Sequence, residues 1–253
     1  GEDVRDLRRL PWSSVDNDTS RDLDQLEVAE RLPDGTTKVL VAIADVDAFV
    51  PKDSAIDRFA ARQATTVYTG VRNFPMLPER LSTATTSLQE ASDKLAVVVE
   101  FVVATDGRMA SSTAYRAVVR NIAQLTYTAV GALLEGRGPM PPKVAASPDL
   151  QSQLRLQDGA AQALRNERHR HGALNIDTIE TRPVMLNDQV VRVEKQEKNR
   201  ATELIEDFMI ASNEVVARLL EARGVSSIRR VVKTPKRWDR IVALAAALGG
   251  RLP

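Results

Sequence analysis

Residues 15–25 read Val15-Asp16-Asn17-Asp18-Thr19-Ser20-Arg21-Asp22-Leu23-Asp24-Gln25, a run that places four carboxylates within nine positions. Unpaired carboxylates this close repel one another, and a cation is the usual means of neutralising them. The neighbourhood offers no Cys and no His, so its donors are hard oxygens, which suit Mg²⁺, Mn²⁺ or Ca²⁺ rather than Zn²⁺. On an extended segment Asp22 and Asp24 share one face, because strand side chains alternate. Asp16 can then fold back to meet them through the turn-forming pair Asn17-Asp18. Such an array can hold one or two divalent ions against a phosphate.

Two blander readings compete with this one. Runs rich in Asp, Asn and Ser also form solvated turns and helix caps, and composition alone leaves that reading open. The second is a Ca²⁺ loop: counting from Asp16, acidic or hydroxyl residues stand at the first, third, fifth and ninth places, and Glu27 at the twelfth. Arg21, however, sits where that loop needs Gly for its sharp turn, and Pro11 lies where the incoming helix would run. The EF-hand reading fails on both sides.

The segment Leu10-Pro11-Trp12, followed by Val15-Asp16 and Arg21-Asp22-Leu23-Asp24, resembles the signature of the ribonuclease II/ribonuclease R family of exoribonucleases. Further blocks are similar to the family in the same order. They are Val41-Ala42-Ile43-Ala44-Asp45-Val46, then Val67-Tyr68 with Pro75 to Ser82 and Ser87-Leu88. Leu125-Thr126-Tyr127-Thr128, Gly172-Ala173-Leu174 and Ile205 to Asn213 follow. The resemblance covers the whole chain. It implies an Mg²⁺-dependent hydrolase, with Mn²⁺ as the alternative ion, that degrades single-stranded RNA from its 3′ end to nucleoside 5′-monophosphates. A two-metal mechanism of that kind sets the ions about 3.5–4 Å apart, stabilising both attacking and leaving oxygens.

The resemblance also assigns residues. Asp16, Asp22 and Asp24 match the family's metal-binding and catalytic aspartates, and Asp24 matches the carboxylate whose loss is most damaging. The fourth family aspartate is Gln25 here; its carbonyl oxygen can still ligate, but it brings no charge. Tyr68 and Tyr127 match tyrosines that contact the 3′-terminal nucleotides, and an aromatic face suits any base. Ile176 stands near the place where the family often has a Phe closing the base stack, and Glu206 matches a helix glutamate that meets the terminal ribose. Without the resemblance, the tyrosines read as core aromatics and Glu206 as an exposed carboxylate paired with a basic neighbour. The rival reading of the whole is a non-catalytic RNA-binding protein on the same fold, for which Gln25 speaks.

Composition sets wider bounds. With 253 residues and 43% hydrophobic content, the chain can build one domain with a sizeable core. The net charge of +1 supplies no global basic field, so RNA binding has to come from local clusters of Lys and Arg. The absence of cysteine excludes disulfides and fits a reducing compartment. No apolar run approaches the ~20 residues of a membrane span, and residues 1–9 are charged. A monomeric, cytoplasmic protein without membrane contact is expected. Related proteins carry nucleic-acid-binding modules before the catalytic domain and usually another after it, and a late Ser-Pro-x-Arg-Arg-like segment whose arginine contacts the scissile phosphate. None of these is visible here, so the chain is expected to be either a single catalytic domain cut from a longer protein or a domain whose site is incomplete.

Patterning predicts an α+β fold, a mixed, largely antiparallel sheet or partial barrel with helices packed around it. Strands are predicted at Leu26–Arg31 and Lys38–Ala44 around the turn Pro33-Asp34-Gly35, and at Leu95–Ala104 and Met109–Val119 around Thr105 to Arg108. A further hairpin is predicted over Leu174–Leu186 and Val190–Lys195. Ser54 caps a helix running to about Val67, with Tyr68 at its end and a loop over Gly70–Pro78. Other helices are predicted at Leu150–His171, Arg200–Ala222 and Lys236–Leu248, with Gly136–Pro148 as a surface connection. His169 and His171, two apart on a helix, diverge and make no metal pair; the arginines around them are candidates for tracking an RNA backbone.

Overall fold

Val39-Leu40-Val41-Ala42 is apolar at every position, a pattern for a strand buried on both faces, and it lies at the centre of the sheet. The computed structural model describes residues 4–69, 72–173, 180–186, 189–229 and 234–252. In chain order β1 is Arg5–Asp6, β2 Ser13–Asp16, β3 Gln25–Arg31 and β4 Thr37–Ala44. Helix α1 (Ala55–Gln63) precedes a small hairpin, β5 (Val67–Tyr68) and β6 (Asn73–Phe74). After one π-helical turn at Leu81–Thr85 come β7 (Asp93–Val103), β8 (Met109–Arg120) and β9 (Ala123–Thr126). Helices α2 (Tyr127–Leu134), α3 (Pro142–Ala145) and α4 (Pro148–Arg170) follow. A separate hairpin, β10 (Glu180–Leu186) and β11 (Gln189–Gln196), leads to α5 (Arg200–Ala222) and α6 (Trp238–Ala247).

Seven strands form one open sheet in the order β1-β8-β7-β4-β3-β2-β9. The edge pairs β1/β8 and β2/β9 are parallel and the inner pairs antiparallel. The expected mixed, largely antiparallel α+β architecture is thus present, as an open sheet with no barrel closure. Alternation divides the core in two. Val15, Ala29, Val39, Val41, Val99 and Phe101 face α2, α4 and α5. Leu26, Val28, Leu40, Ala42, Ala96 and Val98 face the other way, onto Trp12, Leu23 and Leu88. Phe101 meets Phe208 of α5 edge to face at 6.1 Å between centroids.

Local sequence accounts for most boundaries. The β3–β4 turn rests on Gly35 at φ +83° and on Asp34, whose carboxylate accepts from Thr36 N–H and Oγ1. At the β7–β8 turn Gly107 has φ +89°, and a Cβ there would stand 2.1 Å from the Ala163 carbonyl of α4, so both conformation and helix packing require Gly. Ser54 does cap α1, accepting from Asp57 N–H at 3.2 Å, but that helix ends at Gln63, four residues before the expected Val67. Ala64 turns left-handed at φ +62°, and the β-branched run Thr65-Thr66-Val67 leaves the helix for a short strand. Tyr68 therefore lies on a strand, and the expected loop over Gly70–Pro78 contains β6. The Gly136–Pro148 connection contains α3, started by Pro142 at its first position. Strands β1, β2 and β9 and helix α2 had no sequence expectation. The start of the last predicted hairpin, its Asn187-Asp188 turn and Ile176 lie outside the described residues.

Two of the arginines of α4, Arg165 and Arg168, are committed to structure rather than displayed. Asp207 of α5 is buried and accepts from Arg168 at 2.7 Å and Arg165 at 3.2 Å, while Arg165 also reaches Glu203 at 2.6 Å. Arg200 joins Glu203 at 2.7 Å and pairs with Asp158, and Arg170 pairs with Glu167. The expectation that this basic run tracks RNA is corrected for Arg165 and Arg168: their charge offsets a buried carboxylate at the α4–α5 contact. Removing one member of a buried pair strands the other, so Asp207→Asn is expected to lower unfolding free energy by about 3 kcal/mol in urea denaturation.

Candidate active site

The acidic run begins where β2 stops. Pairing of Asp16 with Thr126 in β9 fixes the end of β2, and the next residues turn away, with Ser20 N–H donating to the Asn17 carbonyl at 3.2 Å. Asp16 is half-buried; its carboxylate accepts from Asn17 N–H at 2.7 Å and Ser20 Oγ at 2.9 Å. The fold-back of Asp16 through an Asn17-Asp18 turn is therefore the observed path.

Residues 21–24 are irregular rather than strand, yet they keep strand-like alternation because Leu23 is nailed down. Its side chain is buried against Trp12 and Leu26, its N–H donates to Ser87 Oγ at 3.0 Å, and its carbonyl accepts from Leu88 N–H at 2.8 Å. Asp22 and Asp24 flank it on the exposed side, and the Asp24 carbonyl accepts from Ala44 N–H at 3.0 Å. Ser87 also donates to the Arg21 carbonyl at 2.9 Å, so one hydroxyl staples both ends of this tripeptide.

Charge at the site is crowded. Desolvation raises the pKa of Asp16, against hydrogen bonds from Asn17 and Ser20, and Asp22 adds repulsion. Asp24 keeps contact with solvent, yet partial burial and then the charge of Asp16 raise its pKa as well. Behind them lies a residue that motif reading used only as the last place of the rejected Ca²⁺ loop. Glu27 has no exposed surface and neither carboxylate oxygen has a hydrogen-bond partner; burial, then Asp24 and Asp16, push its pKa well up. Its signal was available: in a β3 that alternates, Glu27 shares the face of Gln25 and Ala29, which points into the helix-covered core. Gln25 is buried as well, its amide donating to the Val15 carbonyl at 3.4 Å.

Two clefts open on either side of the acidic run. One, of about 460 Å³, lies between Asn17-Asp18, Tyr127 and the residues Lys195 to Thr202 that lead into α5. The other, of about 260 Å³, lies between Asp22, Tyr68 and Glu79. Tyr68 is 65% exposed, with its hydroxyl 3.4 Å from Asp22 Oδ2, so its ring is free to be stacked upon. Tyr127 starts α2 directly after β9, and burial, then the charges of Asp16, Glu27 and Asp24, raise its phenol. Its backbone is held by Asn199, which motif reading did not single out. Asn199 caps α5 by accepting from Ala201 and Thr202 N–H at 3.0 Å and donates to the Tyr127 carbonyl at 3.1 Å. A Cβ on Gly131 would come within 2.5 Å of Asn199, so α2 and α5 approach closely here because that position is Gly.

The expected residues thus divide. Asp16 ends β2 and Gln25 begins β3, with Asp22 and Asp24 on the segment between them; Tyr127 lines one adjoining cleft and Tyr68 the other. Glu206 lies on the exposed side of α5, paired with Lys198 at 2.9 Å, and Lys198 lines the larger cleft. Residues 4–249 match the RNB domain. The chain belongs to the RNB family. Ribonuclease R of Vibrio parahaemolyticus is 33% identical over 235 residues, taking in 91% of this chain and 27% of that protein. The solved Mycoplasma genitalium RNase R in complex with ribose methylated single-stranded RNA matches with a TM-score of 0.88 at 26% identity, over 97% of this chain and 38% of that one. Yeast Ssd1, a pseudonuclease, shares the RNB fold at 15% identity, with a TM-score of 0.65 over 87% of this chain and 26% of that one. The RNB chain spans well under half the length of each of these relatives.

The acidic run offers the donor chemistry of a hard divalent cation. All donors are oxygens, they are partly desolvated, and the like charges need neutralising, which fits such an ion. Among the described residues, no three acidic or imidazole side chains stand close enough to grip one ion as they are oriented. Also among the described residues, no helix is long and apolar enough to cross a membrane.

A carboxyl whose folded pKa lies above its unfolded value holds its proton more tightly when folded. Stability then falls as pH rises from the ordinary carboxylate range through the raised values of Asp16 and Asp24. Asp24→Asn is accordingly expected to melt at a higher temperature than the parent chain at pH 7–8 in EDTA, with the difference shrinking toward pH 4; calorimetry across that range checks it.

Proposed function

We propose that the chain is the hydrolytic domain of a longer 3′-to-5′ exoribonuclease, which uses Mg²⁺, with Mn²⁺ as the alternative, to cut single-stranded RNA into nucleoside 5′-monophosphates. The observation that carries this reading is an acidic run, Asp16 to Asp24, bordered by two clefts that hold Tyr127 and Tyr68, in a chain of the RNB family. A bound divalent cation would polarise the scissile phosphate and activate the attacking water. The chain's own part is to hold the carboxylates: Leu23 fixes the spacing of Asp22 and Asp24, and Ser20 orients Asp16. Tyr68 and Tyr127 offer stacking faces for terminal bases on either side. Glu206, exchanging Lys198 for a ribose hydroxyl, would read RNA against DNA.

Gln25 supports the second reading, a non-catalytic RNA-binding domain, because it is neutral and buried where the family motif has an aspartate. Incubating 5′-labelled single-stranded RNA with Mg²⁺ separates the two. Stepwise 3′ shortening with mononucleotide release, abolished by EDTA and by Asp24→Asn, is expected. RNA binding without cleavage, by this chain and by a longer form carrying its flanking sequence, would leave only the second reading. Replacing either tyrosine by Ala is expected to weaken RNA binding by about 1–3 kcal/mol, and Tyr127→Phe to retain most of it, since the ring rather than the hydroxyl stacks.

A further inference from the structure

Asn199 does more than a helix cap requires. Ser, Thr, Asp and Asn all serve at that position, because each offers an oxygen to the free N–H groups of the first turn. Asn199 uses its amide oxygen in that way, accepting from Ala201 and Thr202 N–H at 3.0 Å, while its own N–H donates to Thr202 Oγ1 at 2.9 Å. The amide nitrogen is not needed for the cap. It donates to the Tyr127 carbonyl at 3.1 Å, at the first residue of α2. A carboxylate has no hydrogen to donate, and a hydroxyl sits closer to its own backbone, so the carboxamide alone caps one helix and reaches the next.

The contact is close and it is doubled. Gly131 lies one turn along α2 from Tyr127, and a Cβ there would stand 2.5 Å from Asn199 Cγ, so the amide rests on bare backbone. Just past the other end of α2, Glu135 Oε1 accepts from Arg200 N–H at 3.0 Å. Helix α2 is thus tied to the start of α5 at both of its ends. Tyr127, Asn199 and Lys198 line the same cleft of about 460 Å³, and Lys198 pairs at 2.9 Å with Glu206, two turns further along α5.

Resting on the RNA reading given under Proposed function, we propose that Asn199 is a positioning residue for the RNA end. Through the Tyr127 carbonyl it holds the ring of Tyr127 at a set separation from Lys198 and Glu206 on α5. The larger cleft then meets a terminal nucleotide with its stacking face and its polar wall already in register. Asn199 acts through Tyr127 rather than at the reacting bond.

The test separates the cap from the tie. Binding of fluorescent single-stranded RNA is measured by anisotropy in EDTA, for this chain and for a longer form carrying its flanking sequence. The variants are Asn199→Ser, Gly131→Ala, Tyr127→Ala and the double variant Asn199→Ser/Tyr127→Ala. Asn199→Ser keeps a capping oxygen and does not span to Tyr127; it is expected to bind RNA about threefold to tenfold more weakly, the range one hydrogen bond covers. Gly131→Ala, which pushes Asn199 from the other side, is expected to act in the same direction. In the Tyr127→Ala background Asn199→Ser is expected to add no further loss, because two residues that act as a unit are not additive. In turnover with Mg²⁺ the loss is expected in KM with kcat held.

Binding by Asn199→Ser equal to the parent overturns the proposal, and so does an equal further loss in the Tyr127→Ala background, which marks a merely structural part. RNA binding without cleavage leaves the binding measurements to decide alone. No RNA binding by the parent in either form removes the RNA reading, and the proposal with it. Should Asn199→Ser fail to fold, Asn199→Asp keeps the cap and has no hydrogen to donate. Its binding is compared with the parent at low and high salt, since salt screens the added charge but not the lost tie. A deficit that persists at high salt supports the positioning role, and one that vanishes overturns it.

Discussion

Like charges held together against their repulsion are the constraint on which this structure turns. Asp16, Asp22, Asp24 and Glu27 influence one another electrostatically, so the backbone carrying them has to be prevented from drifting apart. The restraint lies in the main chain and in one apolar side chain. Leu23 is sunk between Trp12 and Leu26, and the carbonyls of Leu23 and Asp24 are tied to Leu88 and Ala44. Because Ala44 ends β4, the acidic run is braced by the end of the central strand of the sheet. Stability that the core provides is thus spent in part on holding a repulsive site in place, as is common where function needs strain.

Positive charge is distributed with the same economy. A net charge of +1 does not mean that cations are scarce, since 35 Lys and Arg face 34 Asp and Glu. On α4 and α5 the guanidinium groups of Arg165 and Arg168 are directed at Asp207, where they compensate a buried charge and lock two helices together. Around the clefts two cations are paired on exposed side chains: Lys198 with Glu206, and Arg21 with Glu79 at 3.6 Å. Those exposed pairs are weak, and a phosphate can displace the carboxylate at little cost. Polyanion binding at the clefts would therefore proceed by exchange of partners, with the salt dependence such contacts carry.

Much of this was legible in the chain, and the remainder was hidden for identifiable reasons. The long elements declared themselves: α5 spans Arg200–Ala222 as its apolar stripe and Gly224 imply, and the β7–β8 hairpin turns at Gly107. Short strands did not, because β1 has two residues and β2 and β9 four each, too few for a period to show. Helix α2 was masked by an apolar sequence with only Thr126, which accepts from Ala129 N–H, to mark its start. At the site, spacing brought Asp16, Asp22 and Asp24 into one short segment, and the turn after Asp16 and the buried Leu23 between Asp22 and Asp24 are there. Asn199 could not, since its contact with Tyr127 joins residues 72 apart in sequence. Glu27 was visible as a letter but not as an anomaly until its burial was known.

Gln25 and Glu27 are best understood as a pair. They stand two apart on one face of β3, both buried, one neutral and one ionisable. Had both been carboxylates, two desolvated negative charges would sit side by side behind Asp16 and Asp24, and repulsion of that order keeps at least one of them protonated. With one neutral and one ionisable side chain on this face, that repulsion is avoided. The amide of Gln25 donates to the Val15 carbonyl, which ties β3 to β2 beside the residue where β2 gives way to the acidic run.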